Sequence, residues 1–426
     1  MKSWKTKKLS EVCAKITDGT HQTPKYFNEG VIFLSSKNVT SGKIDWVNIK
    51  YIDEKQHLEM HKRVAPKVGD ILLAKNGTTG VAAMVDRDLV FDIYVSLALL
   101  RPLEGLLPDY LLHFINSPLA KNQFNKRLKG IGVPNLHLEE IREVEIPLPP
   151  LPEQQRIVAI LDEAFAAIAK AKTNAEQNLK NAKELFESYL QGVFENGNWE
   201  EKKLEEICIL ISKGSSPKWQ GIKYVDEPGV LFVTSENVGE NTLLLEKRKY
   251  VEGKFNISDK KSILINGDVL TNIVGASIGR TAIFDLDDVA NINQAVCLIR
   301  CNQEFLFNEY LMYLLNSPFT KQHLHDNEVN NARANLSLGF FRSLSIPLPE
   351  LSDQKNVVDK IKSFHMETQR LESIYQQKIN DLEELKKSVL QKAFSGELRS
   401  PEGAESDSEA ETPLANKKTI TSPERA

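Results

Sequence analysis

Two histidines one helical turn apart, in His57-Leu58-Glu59-Met60-His61, are the first residues here whose spacing could do chemistry. On a helix they share a face and could hold a metal ion. The intervening glutamate stands at the wrong offset for the base of a zinc protease, and no third ligand is evident, so surface histidines are the plainer reading. The turn Gly275-Ala276-Ser277-Ile278-Gly279-Arg280-Thr281 has the wrong spacing for a phosphate loop and lacks its lysine. Gly130-Ile131-Gly132 lacks the third glycine of a dinucleotide loop. Pro149-Pro150 stands outside the Asn/Asp-Pro-Pro-aromatic context of an amino-methyltransferase, and no Pro-Asp with Asp/Glu-x-Lys nuclease pair is convincing. Cys13, Cys208, Cys297 and Cys301 form no Cys-x-x-Cys pair, which predicts buried free thiols rather than disulfides or zinc. The chain reads as non-catalytic.

The elements that would position any site come from a tandem repeat. Pro147-Leu148-Pro149-Pro150-Leu151-Pro152-Glu153-Gln154-Gln155-Arg156-Ile157 heads a long helix running on toward Gly197. Ile157, Leu161, Ala164, Ile168, Ala171, Ala175, Ala182, Leu185 and Tyr189 follow steps of three and four, with a slot at Asn178, the spacing of a coiled-coil seam. The prolines stop whatever precedes, and Glu153 places negative charge at the helix N-terminus. Ile346-Pro347-Leu348-Pro349 opens a second such helix through Asp353-Gln354, with Val357, Ile361, Phe364, Leu371, Tyr375, Leu382, Leu385 and Val389. Leu190-Gln191-Gly192-Val193-Phe194 closes the first as Leu390-Gln391-Lys392-Ala393-Phe394 closes the second. Outside the helices, Trp4 to Cys13 returns as Trp199 to Cys208, Gly69-Asp70-Ile71-Leu72 as Gly267-Asp268-Val269-Leu270, and Asn116-Ser117-Pro118 as Asn316-Ser317-Pro318.

The order is therefore a globular unit at 1–150, a helix at 151–196, a second unit at 197–350, a helix at 351–398 and a tail at 399–426. The tail is rich in Ser, Glu, Pro and Ala, a composition that predicts disorder. Within the first unit Val31–Leu34, Ile71–Leu73, Val81–Val85 and Tyr94–Leu100 are predicted strands. Asn76-Gly77-Thr78-Thr79-Gly80 is a predicted hairpin turn, and Pro108-Asp109-Tyr110 opens a helix. The fold class is α+β, two repeated domains separated by two long antiparallel coiled-coil helices with pseudo-two-fold symmetry. About 38 helical residues would give a rod of roughly 57 Å with a head at each end. Duplex DNA is a partner of matching symmetry.

Composition places limits on this picture. The 426 residues suffice for two or three domains, and 41% hydrophobic with 26% charged is ordinary for a soluble protein. No apolar run approaches a membrane span, and Met1 to Lys8 lacks the apolar core of a secretion signal, so a cytoplasmic protein without membrane partners is expected. A net charge of -4 does not announce nucleic acid, so DNA binding would use local patches or partners supplying more positive charge.

The junction Leu136 to Ile157, the entry Trp4 to Gly19, the Gly-Asp-Ile-Leu-Leu segment and the second round ending Ala393-Phe394-Ser395-Gly396-Glu397-Leu398 resemble specificity subunits of Type I restriction-modification systems. The resemblance covers residues 1 to about 400. A departure is Ser352-Asp353-Gln354-Lys355, where the family more often has Glu-Gln-Gln, and the acidic tail is additional to the pattern. The resemblance implies two target-recognition domains, each reading one half of a split asymmetric site in double-stranded DNA. It implies helices that set the spacer and dock two methyltransferase subunits. Those partners would bind S-adenosylmethionine, and restriction/translocase subunits would use ATP and Mg2+; this chain would hold no cofactor and no metal.

Base readout needs forked donors and acceptors, and phosphates are positioned by Lys, Ser and Thr. Loop candidates in the first unit are His21, Gln22, Thr23, Lys25, Lys75, Asn76, Thr78 and Thr79. Those in the second are Lys213, Ser215, Ser216, Lys218, Asn272, Ser277 and Arg280. The Gly77/Gly80 and Gly275/Gly279 turns either approach a phosphate or only make hairpins. Lys121, Lys126, Arg127 and Lys129 form either a solvated helix face or a DNA-facing one. Two rival readings stay open: a recognition subunit whose partner fuses methylase and nuclease, and a coiled-coil scaffold without DNA readout.

Overall fold

The structure, a computed structural model, describes residues 4–128, 135–226, 229–326 and 335–398. The tail, Lys129 and Gly130-Ile131-Gly132 lie outside the described residues. The chain divides into two compact units, one holding residues up to Thr173 and from Ile379 on, the other Asn174–Lys378. Each unit thus combines a head with stretches of both long helices.

In chain order the first head contains β1 (Thr6–Lys8), α1 (Leu9–Val12), β2 (Cys13–Asp18), β3 (Val31–Leu34), β4 (Lys50–Ile52) and α2 (Glu54–Met60). Then come β5 (Ile71–Ala74), β6 (Ala82–Met84), β7 (Phe91–Ile93), β8 (Leu97–Pro102), α3 (Pro108–Ile115), α4 (Pro118–Asn125), α5 (Leu138–Arg142) and β9 (Glu145–Pro147). The strands form a four-stranded sheet β2-β8-β5-β6, a three-stranded sheet β4-β3-β7 and the pair β1-β9. Alternate side chains of the larger sheet enter two different cores. Ile71, Leu73, Ala98 and Leu100 face the helices, while Leu72, Ala74, Leu97 and Leu99 face the smaller sheet. Burial on both faces explains why β5 is a continuous apolar run rather than an alternating one.

One expected strand is corrected. Tyr94–Leu100 is not a single strand: Leu97 N–H bonds back to Tyr94 O at 2.9 Å, and the chain turns there from β7 in one sheet to β8 in the other. Apolar periodicity cannot register a change of sheet inside an apolar run. The histidine pair is corrected too. His57 and His61 both pack on the buried carboxylate of Asp92 rather than standing free on the surface.

The long helix α6 (Leu151–Glu195) follows. It begins inside the proline run because Pro152 sits in the first turn, where a missing N–H costs nothing. At 45 residues it is longer than the expected 38, about 68 Å along its axis. The second head repeats the first. It holds β10 (Glu201–Lys203), α7 (Leu204–Ile207), β11 (Cys208–Lys213), β12 (Tyr224–Val225), β13 (Val230–Val233), β14 (Tyr250–Val251) and α8 (Phe255–Ser258). After these come β15 (Asp268–Asn272), β16 (Thr281–Phe284), β17 (Ala290–Ile292), β18 (Val296–Cys301), α9 (Asn308–Asn316), α10 (Pro318–Asp326), α11 (Leu338–Ser343), β19 (Ser345–Pro347) and α12 (Leu351–Ser395). Sheets β11-β18-β15-β16 and β12-β14-β13-β17 and the pair β10-β19 reproduce the first topology with one added strand. The cysteines are free thiols, three of them buried.

The helix-opening motif is a lock. Gln154 is fully buried; its Oε1 accepts from Leu107 N at 2.9 Å, and its Nε2 donates to Gly105 O and Pro149 O, each at 2.9 Å. Gln354 repeats this with Phe307 N, Phe305 O and Pro349 O, so the Ser352-Asp353 departure leaves the lock untouched. Tyr110 and Tyr310 hydroxyls donate to Pro147 O and Pro347 O, fastening α3 and α9 to the same junctions.

In the first unit α12 runs antiparallel to α6: Lys172 pairs with Glu383 at 2.6 Å, and Arg156 reaches Leu398 O. Phe394 packs edge-on against Tyr110 and Phe114. In the second unit Tyr189 lies on Phe364 and Phe194 on Tyr310. Along the seam Ile157, Leu161, Ala175 and Ala182 are buried, but Leu185 and Leu385 are about half exposed and Asn178 is exposed. Phe186 and His365, 4.4 Å apart between ring centroids, take up packing where Leu185 was expected. A 3.6-residue helix drifts from a strict heptad, so the packed face moves by a residue over its length.

Candidate nucleic-acid interface

In each head the strand that leads into the candidate loop ends in a glycine that nothing larger can replace. Gly19 follows β2, and a Cβ there would lie 1.9 Å from Ile93 O; Gly214 follows β11, and its Cβ would lie 1.8 Å from Ile292 O. Close approach lets Thr20 N–H bond Ile93 O at 3.0 Å, which pins the base of the first loop onto β7. His21, Gln22, Thr23 and Lys25 are exposed beyond that pin. The far end is held by Gln56 of α2, whose amide accepts from Lys25 N at 2.8 Å and donates to Lys25 O at 3.0 Å. An exposed loop clamped at both ends has few backbone states to lose on binding.

Asp18 organises the charges around this loop. Its carboxylate meets Arg63 Nη2 at 2.6 Å, Lys75 Nζ at 2.9 Å and His21 Nε2 at 3.3 Å. Burial pushes the Asp18 carboxyl up, but the bonds from Arg63, Lys75 and His21 outweigh it and hold the group below the usual carboxylate range. Lys75 is therefore buried and paired with Asp18. Arg63, about half exposed, also donates to Asp18 O and Gly19 O. Sequence reasoning passed over Arg63, because 45 residues separate it from Asp18 and only the fold joins them.

The Asn76–Gly80 turn links β5 to β6, with Gly80 N bonded to Ala74 O at 3.0 Å, and Gly77 and Gly80 adopt positive φ as a hairpin requires. Thr78 is exposed and Thr79 half-buried, while Asn76 bridges to Asn135 through its backbone. Lys121 lies beside Gly80. Its ammonium is lowered below the usual lysine range by burial first and then by Lys386 and Lys387 on α12. Lys387 is itself paired with Glu384 at 2.7 Å. Lys126 is exposed, and Arg127 is tied back to Gln123 O and Glu143 O.

The second head places different chemistry at the same points. Lys213, half-buried, takes the position of Asp18 at the strand end. Ser215 Oγ donates to Asp259 at 2.5 Å and accepts from Gln220 at 2.5 Å, so it holds its loop together. Ser216 precedes the short turn Pro217–Gln220, on which Lys218 is exposed and Trp219 is 84% exposed. Trp219 was missed because isolated aromatics are usually core residues. Asn272 is fully buried and donates to Ser235 O at 2.9 Å, which makes it a loop tie. Ser277 is half-buried and Arg280 exposed on the β15–β16 turn. Here Lys321 beside the turn is paired with Glu240.

Comparison with known proteins decides what these paired heads belong to. The family described as Type I restriction modification DNA specificity domain matches residues 1–179 and again 196–384. The chain belongs to this family. It is a specificity subunit, the non-catalytic part of a Type I complex that recognises the DNA target. It is 21% identical to the StySPI specificity subunit of Salmonella potsdam over 93% of this chain and 89% of that one. It is 24% identical to the putative MjaX specificity subunit of Methanocaldococcus jannaschii over 93% and 94%. The HsdS subunit from Thermoanaerobacter tengcongensis has the same fold, with a TM-score of 0.61 at 22% identity over 93% and 98% of the two chains. A chain solved in work on assembly and conformational transition of the type I R-M system matches at TM-score 0.72, 22% identity, 93% and 99%. Among the described residues of this specificity subunit, no helix is long and apolar enough to cross a membrane.

Proposed function

We propose that each head reads one half of a bipartite, asymmetric site in double-stranded DNA. The observation that carries this reading is the placement of unlike side chains at matching loops of one repeated topology: Asp18, His21 and Arg63 in one head, Lys213, Lys218 and Trp219 in the other. Unlike loops on like frames imply unlike half-sites. Base contacts come from His21, Gln22, Thr23, Lys25 and Arg63 in the first head, and from Lys213, Ser216, Lys218, Ser277 and Arg280 in the second. Thr78, Thr79 and Lys121 hold a phosphate, and Trp219 stacks on or wedges against a base. Lys75, Ser215 and Asn272 position these loops.

The long helices set the spacer and dock two methyltransferase subunits that use S-adenosylmethionine, and restriction/translocase subunits that use ATP and Mg2+ join the full complex. A net charge of -4 fits a subunit that binds DNA tightly only with partners. Long-read methylation mapping of a host carrying the complete system tests the whole reading. The expected result is a split adenine-methylated motif that disappears when this chain is deleted, and of which one half alone is altered by the double substitution His21→Ala, Gln22→Ala. A methylome indifferent to the deletion leaves the scaffold reading, and changes in both halves overturn the assignment of one head to one half-site.

A further inference from the structure

The first head carries a cluster that the proposed base and phosphate contacts leave out. Asp92 is on β7, 1% exposed, and each of its carboxylate oxygens faces an imidazole: His57 Nδ1, on α2, at 2.7 Å and His61 Nδ1, at the C-terminal cap of α2, at 3.0 Å. The imidazole rings are 4.7 Å apart between centroids, and the three candidate ligand atoms lie within 4.8 Å of one another. No lysine or arginine pairs with Asp92 among the described residues, although a buried carboxylate demands a countercharge.

The second head treats the same point differently. Asn291 on β17 pairs with Phe232 as Asp92 pairs with Phe33, and its amide donates to Asn256 Oδ1 at 2.7 Å and Asp259 O at 3.1 Å. A neutral amide network is thus enough to join helix to strand in this fold. Two imidazoles and a buried carboxylate are more than the joint requires.

From this geometry we infer that His57, His61 and Asp92 form a binding site for a borderline divalent transition ion such as Zn2+. Two nitrogens and one carboxylate oxygen are a donor set that zinc accepts, leaving a position for water on the side of His61, whose side chain is 31% exposed. With bonds of about 2.0–2.2 Å, tetrahedral ligand atoms stand about 3.3 Å apart. The imidazole that faces the ligating oxygen therefore draws back by a few tenths of an ångström, while the three ligand atoms, now within 4.8 Å of one another, close toward that separation. Coordination through Nδ1 takes the place of the contact each ring makes with Asp92, and the tautomer that binds the ion is the one with its proton on Nε2. The ion supplies the positive charge that Asp92 lacks. It also clamps α2 to β7, and α2 carries the Gln56 amide that holds Lys25. This site stands independently of the DNA reading.

The test uses the full chain, stripped with chelator, loaded with Zn2+ and desalted, with retained metal counted by mass spectrometry. One zinc ion per chain is expected in the unmodified protein, and none at this site in the double variant H57N/H61N or in Asp92→Asn, which borrows the amide of the second head. Zinc should slow amide exchange at Lys25 in the unmodified chain only. Circular dichroism in chelator checks that the variants fold, and His61→Gln, at the more exposed ligand, supplies a milder arm that should weaken retention at least tenfold. Absence of stoichiometric zinc in the unmodified chain overturns the proposal, and so does retention equal to that of the folded double variant.

Discussion

Individual residues set the precision of the loops. Gly19 holds its loop against β7 because a hydrogen takes the place of a methyl group that would sit 1.9 Å from Ile93 O. Gly19→Ala must push β2 and β7 apart, and a cost of about 2–4 kcal/mol is expected from such overpacking against backbone. The measurable outcome is a lower melting temperature together with faster amide exchange at Thr20; an unchanged melt would show that the strands can separate freely. Gln154 is a second such residue. Gln154→Leu keeps the volume but removes the partner of Leu107 N–H and of the Gly105 and Pro149 carbonyls, the last of them buried. A loss of about 3 kcal/mol or more is expected from those unpaired groups. Urea unfolding followed by hydrogen exchange should place the loss in the first unit, with Gln354→Leu doing the same in the second.

At the scale of elements, α6 and α12 pack along one another in each unit. Small residues Ala164, Ala171 and Ala175 line one stretch of α6, and Phe364, Leu371 and Tyr375 line part of α12, so the seam mixes small and large side chains. Seven residues inserted after Lys180, with the matching heptad in α12, keep the seam and add about 10 Å. Under the proposed role of the helices, the spacer of the methylated motif should lengthen by up to about three base pairs with both half-sites unchanged. Methylation mapping reads this directly, and an unaltered spacer removes the helices from the role of ruler.

For the whole molecule, the repeat makes each half a potential substitute for the other. The first unit is completed by Leu390, Ala393 and Phe394, which pack in the core around Tyr110 and Phe114. A fragment ending near Asn196 loses them but carries Leu190, Val193 and Phe194, the matching residues of the repeat. Two copies can therefore complete one another, and the fragment is expected to form a two-fold homodimer. Val193 in the place of Ala393 adds volume, and alanines meeting alanines along the seam leave gaps, so the dimer should dissociate at low concentration. Sedimentation across a concentration series checks it: a monomer at all concentrations, even with methyltransferase subunits present, refutes the exchange.

How much of this was legible beforehand depended on whether the information was local. Chain order determined the repeat, the α+β class, the two long helices and their proline-led starts, because heptad spacing, helix breakers and paired motifs are properties of neighbours in sequence. Family membership was legible on the same ground. Exposure and partnership were not. Lys75 looked like a loop cation and is spent on Asp18, Asn272 looked like a base reader and ties down a loop, and Leu185 looked like seam and faces water. Arg63 and Trp219 drew no notice, although one grips the first loop and the other stands bare on the second. Asp92 stands 31 residues from His61, on a strand that carries no motif, and only the packing of α2 on β7 brings carboxylate and imidazoles together. A sequence specifies its local periodicities directly, whereas the meeting of distant side chains is decided by the way sheets and helices pack.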